Sequence, residues 1–273
     1  MSDHMRGLSK NSLAVVEERF NAAAGSADLG RLAEDLNAIA DLLDREHGLR
    51  RALSDPARPA AQKAQVVRGL LGGKVAEAAI ATAEAAVEAK WSRAGDLADV
   101  LERLGVVAAA AEAEAQGKLD DVEDELFRFG RIVAANPELR RALTDQSAAE
   151  EGKRQLLQDL LGSRVAPTSL RLITQLVVHP RGRSLEAGLE ELGRLVAQQR
   201  QRLVATVRSA VELTEEQKRR ITTWLRTSYG RDVHINVEVD PRVLGGFSVR
   251  IGDEIIDTTI VGRIEEVRRR LAG

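Results

Sequence analysis

Apolar residues in the first two thirds of this chain recur at steps of three and four. Leu29, Leu32, Leu36, Ile39 and Leu43 form one such stripe, and Leu13, Val16 and Phe20 form a shorter one before it. That spacing gathers them on one face of a helix of about 3.6 residues per turn. It predicts helices over 12–24 and through 29–43, then about 59–71, 75–90 and 95–115. The breaks fall where the chemistry asks for them. Ser54-Asp55-Pro56 interrupts because proline disfavours helix at the residue before it, and Gly72-Gly73 follows a helix as a stop signal.

The pattern then starts again. Leu119, Val122, Leu126, Phe129 and Val133 repeat the long stripe, and helices are predicted over 151–161, 168–178 and 185 to about 202. The heptapeptide from Leu49 to Asp55 returns from Leu139 to Asp145 at an offset of 90 residues, with six of seven positions identical. At the same offset Lys63 meets Lys153, Gln65 meets Gln155, and Leu70-Leu71-Gly72 meets Leu160-Leu161-Gly162. Further on the offset becomes 88: Leu97, Leu101 and Leu104 meet Leu185, Leu189 and Leu192. A unit this long is a duplicated small domain, not a solenoid repeat. The stretch 95–115 can close copy one and also open copy two.

After Arg202 the period falls to two. Leu203 to Val211 is rich in Val and Thr. Val233, Ile235, Val237 and Val239 alternate with polar residues, as do Phe247, Val249 and Ile251. These are half-buried strands, and the last two are read as an antiparallel pair closed by 241–246. Thr214 and Gln217 form a capping box before a helix whose buried face is read as Ile221, Trp224 and Leu225. A closing helix carries Ile260, Ile264, Val267 and Leu271, with Arg268, Arg269 and Arg270 in its final turn. The expected fold is mainly α with a small α+β C-terminal domain: two tandem six-helix-like bundles, then a small antiparallel sheet with two helices. The expected boundaries are 1–105, 106–202 and 203–273.

Composition narrows the function. The 273 residues are 44% apolar but only 3% aromatic, so the cores are Leu, Val and Ala. A net charge of −2 argues against a nucleic-acid binder. With no cysteine, thiol chemistry is excluded. No apolar run reaches the roughly 18 residues of a membrane span, and Met1 to Lys10 has no apolar signal core.

Motif-like stretches give no catalytic constellation. Gly72-Gly73-Lys74 lacks the earlier glycine and the following Ser or Thr of a phosphate loop. Asp120, Asp121, Glu123, Asp124 and Glu125 surround inward Leu119, Val122 and Leu126, the pattern of a solvated helix face. His4, His47, His179 and His234 are scattered. No metal or cofactor is expected. The helix 168–178 is more apolar than a two-layer packing requires, which makes Leu170, Ile173, Leu176 and Val177 candidate walls of a groove for a guest helix.

The order Val243-Leu244-Gly245-Gly246-Phe247, Val249-Arg250-Ile251-Gly252-Asp253, Ile256-Asp257 and an amphipathic helix resembles the C-terminal signature of the delta subunit of bacterial F-type ATP synthase, counterpart of the mitochondrial oligomycin-sensitivity-conferring protein. The resemblance spans about 104–273, reaches copy one only through the internal repeat, and is nearest to the long actinobacterial forms. It implies a non-catalytic stator subunit at the cytoplasmic face of the membrane. Its helical domain would receive the N-terminal helices of the alpha subunits, and its C-terminal domain would hold the end of the b subunit. Gly245, Gly246, Phe247, Gly252, Asp253 and Asp257 are then candidate partner-binding residues. A helical adaptor unrelated to ATP synthase is the alternative.

Overall fold

The computed structural model describes residues 8–200, 203–229, 233–240, 243, 246–251 and 254–257. The chain clusters into two compact units, Met1–Gln199 and Arg200–Gly273.

The described residues of the first unit form helices joined by short turns. Copy one holds α1 (Leu8–Ala24), α2 (Leu29–Arg45), α3 (His47–Ser54), α4 (Ala60–Leu71) and α5 (Glu77–Glu88), followed by α6 (Ala94–Ala115). Copy two adds α7 (Leu119–Ala135), α8 (Pro137–Thr144), α9 (Glu150–Leu161), α10 (Pro167–Val178) and α11 (Leu185–Arg200). At the repeat offsets α6 stands in register with α1 and also with α11, so one helix serves both copies. Its sequence allows this. Every residue from Val100 to Ala110 is buried, Glu102 and Arg103 included, and a helix that is apolar nearly all round belongs in an interior. Around it the two copies share one continuous core, from Leu32, Leu36 and Leu53 to Leu143, Leu157 and Leu172.

Small residues set the closest approach. A Cβ on Gly105 of α6 would lie 2.6 Å from Asn37 Oδ1 and 3.3 Å from the Ala33 carbonyl, both on α2. On Gly188 of α11 it would lie 2.2 Å from Leu176 Cδ1.

The second unit carries β1 (Leu203–Ser209), α12 (Glu215–Tyr229), β2 (Val233–Val239), β3 (Phe247–Ile251) and β4 (Glu254–Asp257). The sheet order is β2-β1-β3-β4. It is mixed, which corrects the expected antiparallel sheet. β2 and β3 are not partners: β2 runs parallel to β1, and β3 pairs antiparallel with the other edge of β1. The physical reason is α12, which supplies the long crossover that a parallel pair such as β1–β2 needs. Ala205, Val207, Val233, Val249 and Ile251 form the buried face under Ile221 and Leu225. Trp224, expected inside, is 42% exposed, while Ile221 and Leu225 of the same helix are buried. The capping box forms as read: the Gln217 amide donates to Thr214 Oγ1 at 3.3 Å, and the Thr214 amide to Gln217 Oε1 at 2.8 Å. The closing helix at 260–271 lies outside the described residues.

Candidate functional site

The sequence pointed at α10, and burial there follows the helical period. Leu172, Ile173, Leu176, Val177 and Val178 are buried, and Leu170 is half-buried against the same core. Ile173, Leu176 and Val177 face the interior of the chain, so a guest arriving from outside would not touch them. The other side of α10 does meet a helix, and that helix is α2 of copy one. Arg171 donates to Glu34 at 3.4 Å and pairs with Glu112 of α6. Gln175 donates to Asp41 at 3.0 Å, and His179 Nε2 lies 3.3 Å from the same carboxylate. Arg171, Gln175 and His179 are four apart, the spacing that sets side chains one above another on a helix face.

The turn after α10 extends this contact. Arg181 has φ of 52°, in the left-handed region, and Gly182 follows with φ of 74°. That bend carries the Arg181 guanidinium into the interface. It lies 2.9 Å from Asp44 and 3.1 Å from Asp99, and it donates to the Ala98 carbonyl at 3.1 Å. Arg183 donates to Glu102 at 2.5 Å. Burial pushes the carboxyls of Asp99 and Glu102 above the usual carboxylate range, and the arginines pull them only partly back. Burial likewise lowers the Arg103 guanidinium, whose partner Glu17 stands 3.4 Å away.

These charges were not legible in the sequence. Asp41, Asp44 and Asp99 have Arg131, Ala134 and Ala187 as their repeat counterparts, so no doubled motif marks them. His179, at the end of α10, is mostly covered. A cavity of about 20 Å³ lies beside the cluster, lined by Asn37, Arg103, Leu172, Gln175, Leu176 and Leu192 among others. Its volume suits a single water, which Asn37 Oδ1 and Arg103 Nη1, without protein partners, would hold.

In the second unit Gly246 is exposed with φ of 78°, which favours glycine, and lies just before β3. Phe247 is half-buried against the sheet core. Asp257 ends β4 opposite Ser248. Gly245, Gly252 and Asp253 lie outside the described residues. Trp224 and Val239 add exposed apolar surface that the sequence reading did not single out as exposed. Among the described residues no group of His, Cys, Asp or Glu is arranged to hold a metal, and no helix is long and apolar enough to cross a membrane.

The charged groups between the copies are engaged with one another, and what the chain offers to other molecules is helix and strand surface. The family model for the ATP synthase delta (OSCP) subunit matches twice, over residues 19–114 and 105–271, and the two matches overlap within α6. ATP synthase subunit delta of Streptomyces griseus is 48% identical over 98% of this chain and 100% of its own. Those of Streptomyces coelicolor and Thermobifida fusca are each 48% identical over 98% of this chain and cover 98% and 100% of their own. A chain of the Toxoplasma gondii mitochondrial ATP synthase overlaps 62% of this one and 95% of itself at a TM-score of 0.28 and 14% identity, too little to bear on the argument. The chain belongs to the ATP synthase delta (OSCP) subunit family. It is a non-catalytic stator component of the peripheral stalk, working inside a hetero-oligomeric, membrane-bound complex.

Proposed function

We propose that this subunit ties the catalytic head to the stalk through two separate grips. The helical unit receives N-terminal helices of the alpha subunits, the C-terminal unit holds the end of b, and the molecule sits peripherally at the cytoplasmic face. The single observation that supports the first grip is the way α2 lies against α6 and α10. In register, the helices of copy one that correspond to α6 and α10 are α1 and α5. Val15 on α1 stands where Gly105 stands on α6, and it is 58% exposed. Ala22, the counterpart of Glu112, is exposed as well, and Ala81, the counterpart of Arg171, is half-covered. An amphipathic helix from alpha would lie on α1 and α5 as α2 lies on α6 and α10. On α10 that equivalent contact is made by Arg171, Gln175 and His179, while Leu170, Ile173, Leu176 and Val177 pack on the opposite, inner side. Copies one and two remain distinct docking units in this reading, although they share a core.

The shared core means that the copies should be tested in the whole chain. Titrating an alpha N-terminal peptide against the full chain and against Val15→Asp is the direct measurement. A charge on the seat is expected to weaken binding roughly ten-fold or more, as unpaired charge in an interface core does. Equal affinity for both chains would overturn the first grip. For the second, a chain ended after Gln199 is expected to keep the peptide and lose b. Retention of b by that chain would overturn the assignment of Phe247, Asp257 and the neighbouring signature to stalk binding.

A further inference from the structure

The outer side of α7 differs sharply from its counterpart on α2. Both helices bury the same inner stripe: Leu32, Leu36, Ile39 and Leu43 on α2, and Val122, Leu126, Phe129 and Val133 on α7. α2 buries a second stripe too, made of Gly30, Ala33, Asn37, Ala40 and Asp41. Its cover is α6 and α10, with Arg171 at Glu34 and Gln175 and His179 at Asp41. The corresponding positions on α7 are Asp120, Glu123, Phe127, Gly130 and Arg131, and not one of them is buried. Phe127 is 66% exposed in a chain with only four phenylalanines.

The neighbouring helix shows the same opening. α11 stands beside α7, where a Cβ on Gly130 would meet Leu189 Cδ1 at 3.8 Å. Gly193 of α11 is the counterpart of Gly105, yet a Cβ there would meet nothing within 4 Å. In copy one that place is filled by the close approach of Asn37 and by α10 behind it. Among the described residues of the helical unit, nothing stands in the place of α10 over α7 and α11.

We infer that the wedge between α7 and α11 is a second docking surface, distinct from the seat on α1 and α5, and that it takes an amphipathic helix of another subunit of the same complex. The internal interface shows what such a cover looks like. It is a helix with an apolar stripe and polar residues four apart, laid on the outer stripe of the second helix of a copy. Asp124 replaces Glu34, but its cation is already supplied within α7 by Arg128 at 3.4 Å. Arg131 replaces Asp41 and reverses the charge there, so the cover carries an acidic residue opposite it. Phe127 replaces Asn37, so a small residue or a gap faces it. An exposed phenylalanine ringed by charged residues is the arrangement of an interface anchor.

The inference rests on membership of the complex, but not on the alpha seat, and one experiment separates the two. The natural chain has no cysteine, so Phe127→Cys and Val15→Cys each introduce a single thiol at an exposed site. Maleimide labelling is timed in the free chain and in the assembled, isolated ATP synthase. Labelling at position 127 is expected to be roughly ten-fold slower in the complex, because an interface core excludes the reagent. Photo-crosslinking from a benzoylphenylalanine at 127 is expected to join a helical segment of another subunit that carries an acidic residue about one turn from the cross-linked position. Unchanged labelling at 127, or an adduct only to this chain or to lipid, would overturn the inference. Protection at 15 alone would overturn it while leaving the alpha seat in place, and protection at 127 alone would do the reverse.

Discussion

The Asp35 carboxylate of α2 accepts the backbone amide of Ala76, 41 residues away, at 2.7 Å. Ala76 is the residue before α5, and α5 has no side-chain cap of its own. The repeat does the same thing again: Glu125 of α7 accepts the amide of Ala166, before α10, at 2.9 Å. In each copy the second helix therefore supplies a negative charge to the start of the fifth, where unpaired amides and the helix dipole welcome it. This bond sets the position of α5 relative to α2 in copy one and of α10 relative to α7 in copy two.

Asp35→Ala is expected to destabilise the helical unit by about 1–2 kcal/mol, the usual effect of losing a cap. Asp35 is nearly buried, and it also pairs with Arg31 at 3.0 Å. Glu125→Ala acts at a more exposed site and is expected to cost less. Urea unfolding of the two variants gives the comparison. A larger loss for Glu125→Ala would contradict this ordering.

Most of the helices were legible because their inner stripes keep the helical period and their ends carry Pro, Gly or Asp. The repeat was legible because Leu49–Asp55 and Leu139–Asp145 are nearly the same peptide. What escaped depends on pairing at a distance. Trp224 has the spacing of a buried residue, but how much sheet lies beneath α12 is set by strand pairing. The parallel β1–β2 pair escaped for a related reason: β2 and β3 are closest in sequence, while α12 dictates the partner. On α10 the candidate wall residues Ile173, Leu176 and Val177 turned out to line the chain's own core, and the contact of Arg171, Gln175 and His179 with α2 on the opposite side cannot be read from periodicity.

The two glycines in register on α6 and α11 should respond oppositely to the same change. Gly193→Ala has open space at its Cβ and gains helix propensity, so it is expected to stabilise by up to about 1 kcal/mol. Gly105→Ala places a methyl against Asn37 and the Ala33 carbonyl in a packed core, with an overpacking cost of about 1–3 kcal/mol. Thermal melts of both variants check the contrast, and an equal shift in both would contradict the close approach of α2 and α6.

Arg181 has only 7% of its side chain exposed and faces three carboxylates, Asp44, Asp99 and Glu102. Arg181→Ala would leave Asp99 and Glu102 buried with less compensation. The expected loss is about 3–5 kcal/mol, the range found when one partner of a buried pair is removed. Because the cluster joins the copies, hydrogen exchange should rise first in α10 and in the adjoining half of α2. Faster exchange confined to α3 and α4 would contradict that role.

The pH dependence of the same cluster has a definite sign. Burial raises the folded-state affinity of Glu102 and Asp99 for a proton. In the window between the ordinary carboxylate range and these raised values, the folded chain binds more protons than the unfolded one. Stability from these groups is therefore full at the acidic end and declines as pH rises through the window. Glu102→Gln removes one of the two titrations and keeps the shape of the side chain. The stability of that variant relative to the natural chain is expected to increase from about pH 4 upward, starting at the ordinary glutamate value, and to level off once Glu102 is fully ionised. Guanidinium unfolding of both chains across that range measures the difference directly. A difference that is flat with pH, or that falls, would show that Arg183 and Arg181 outweigh burial at Glu102.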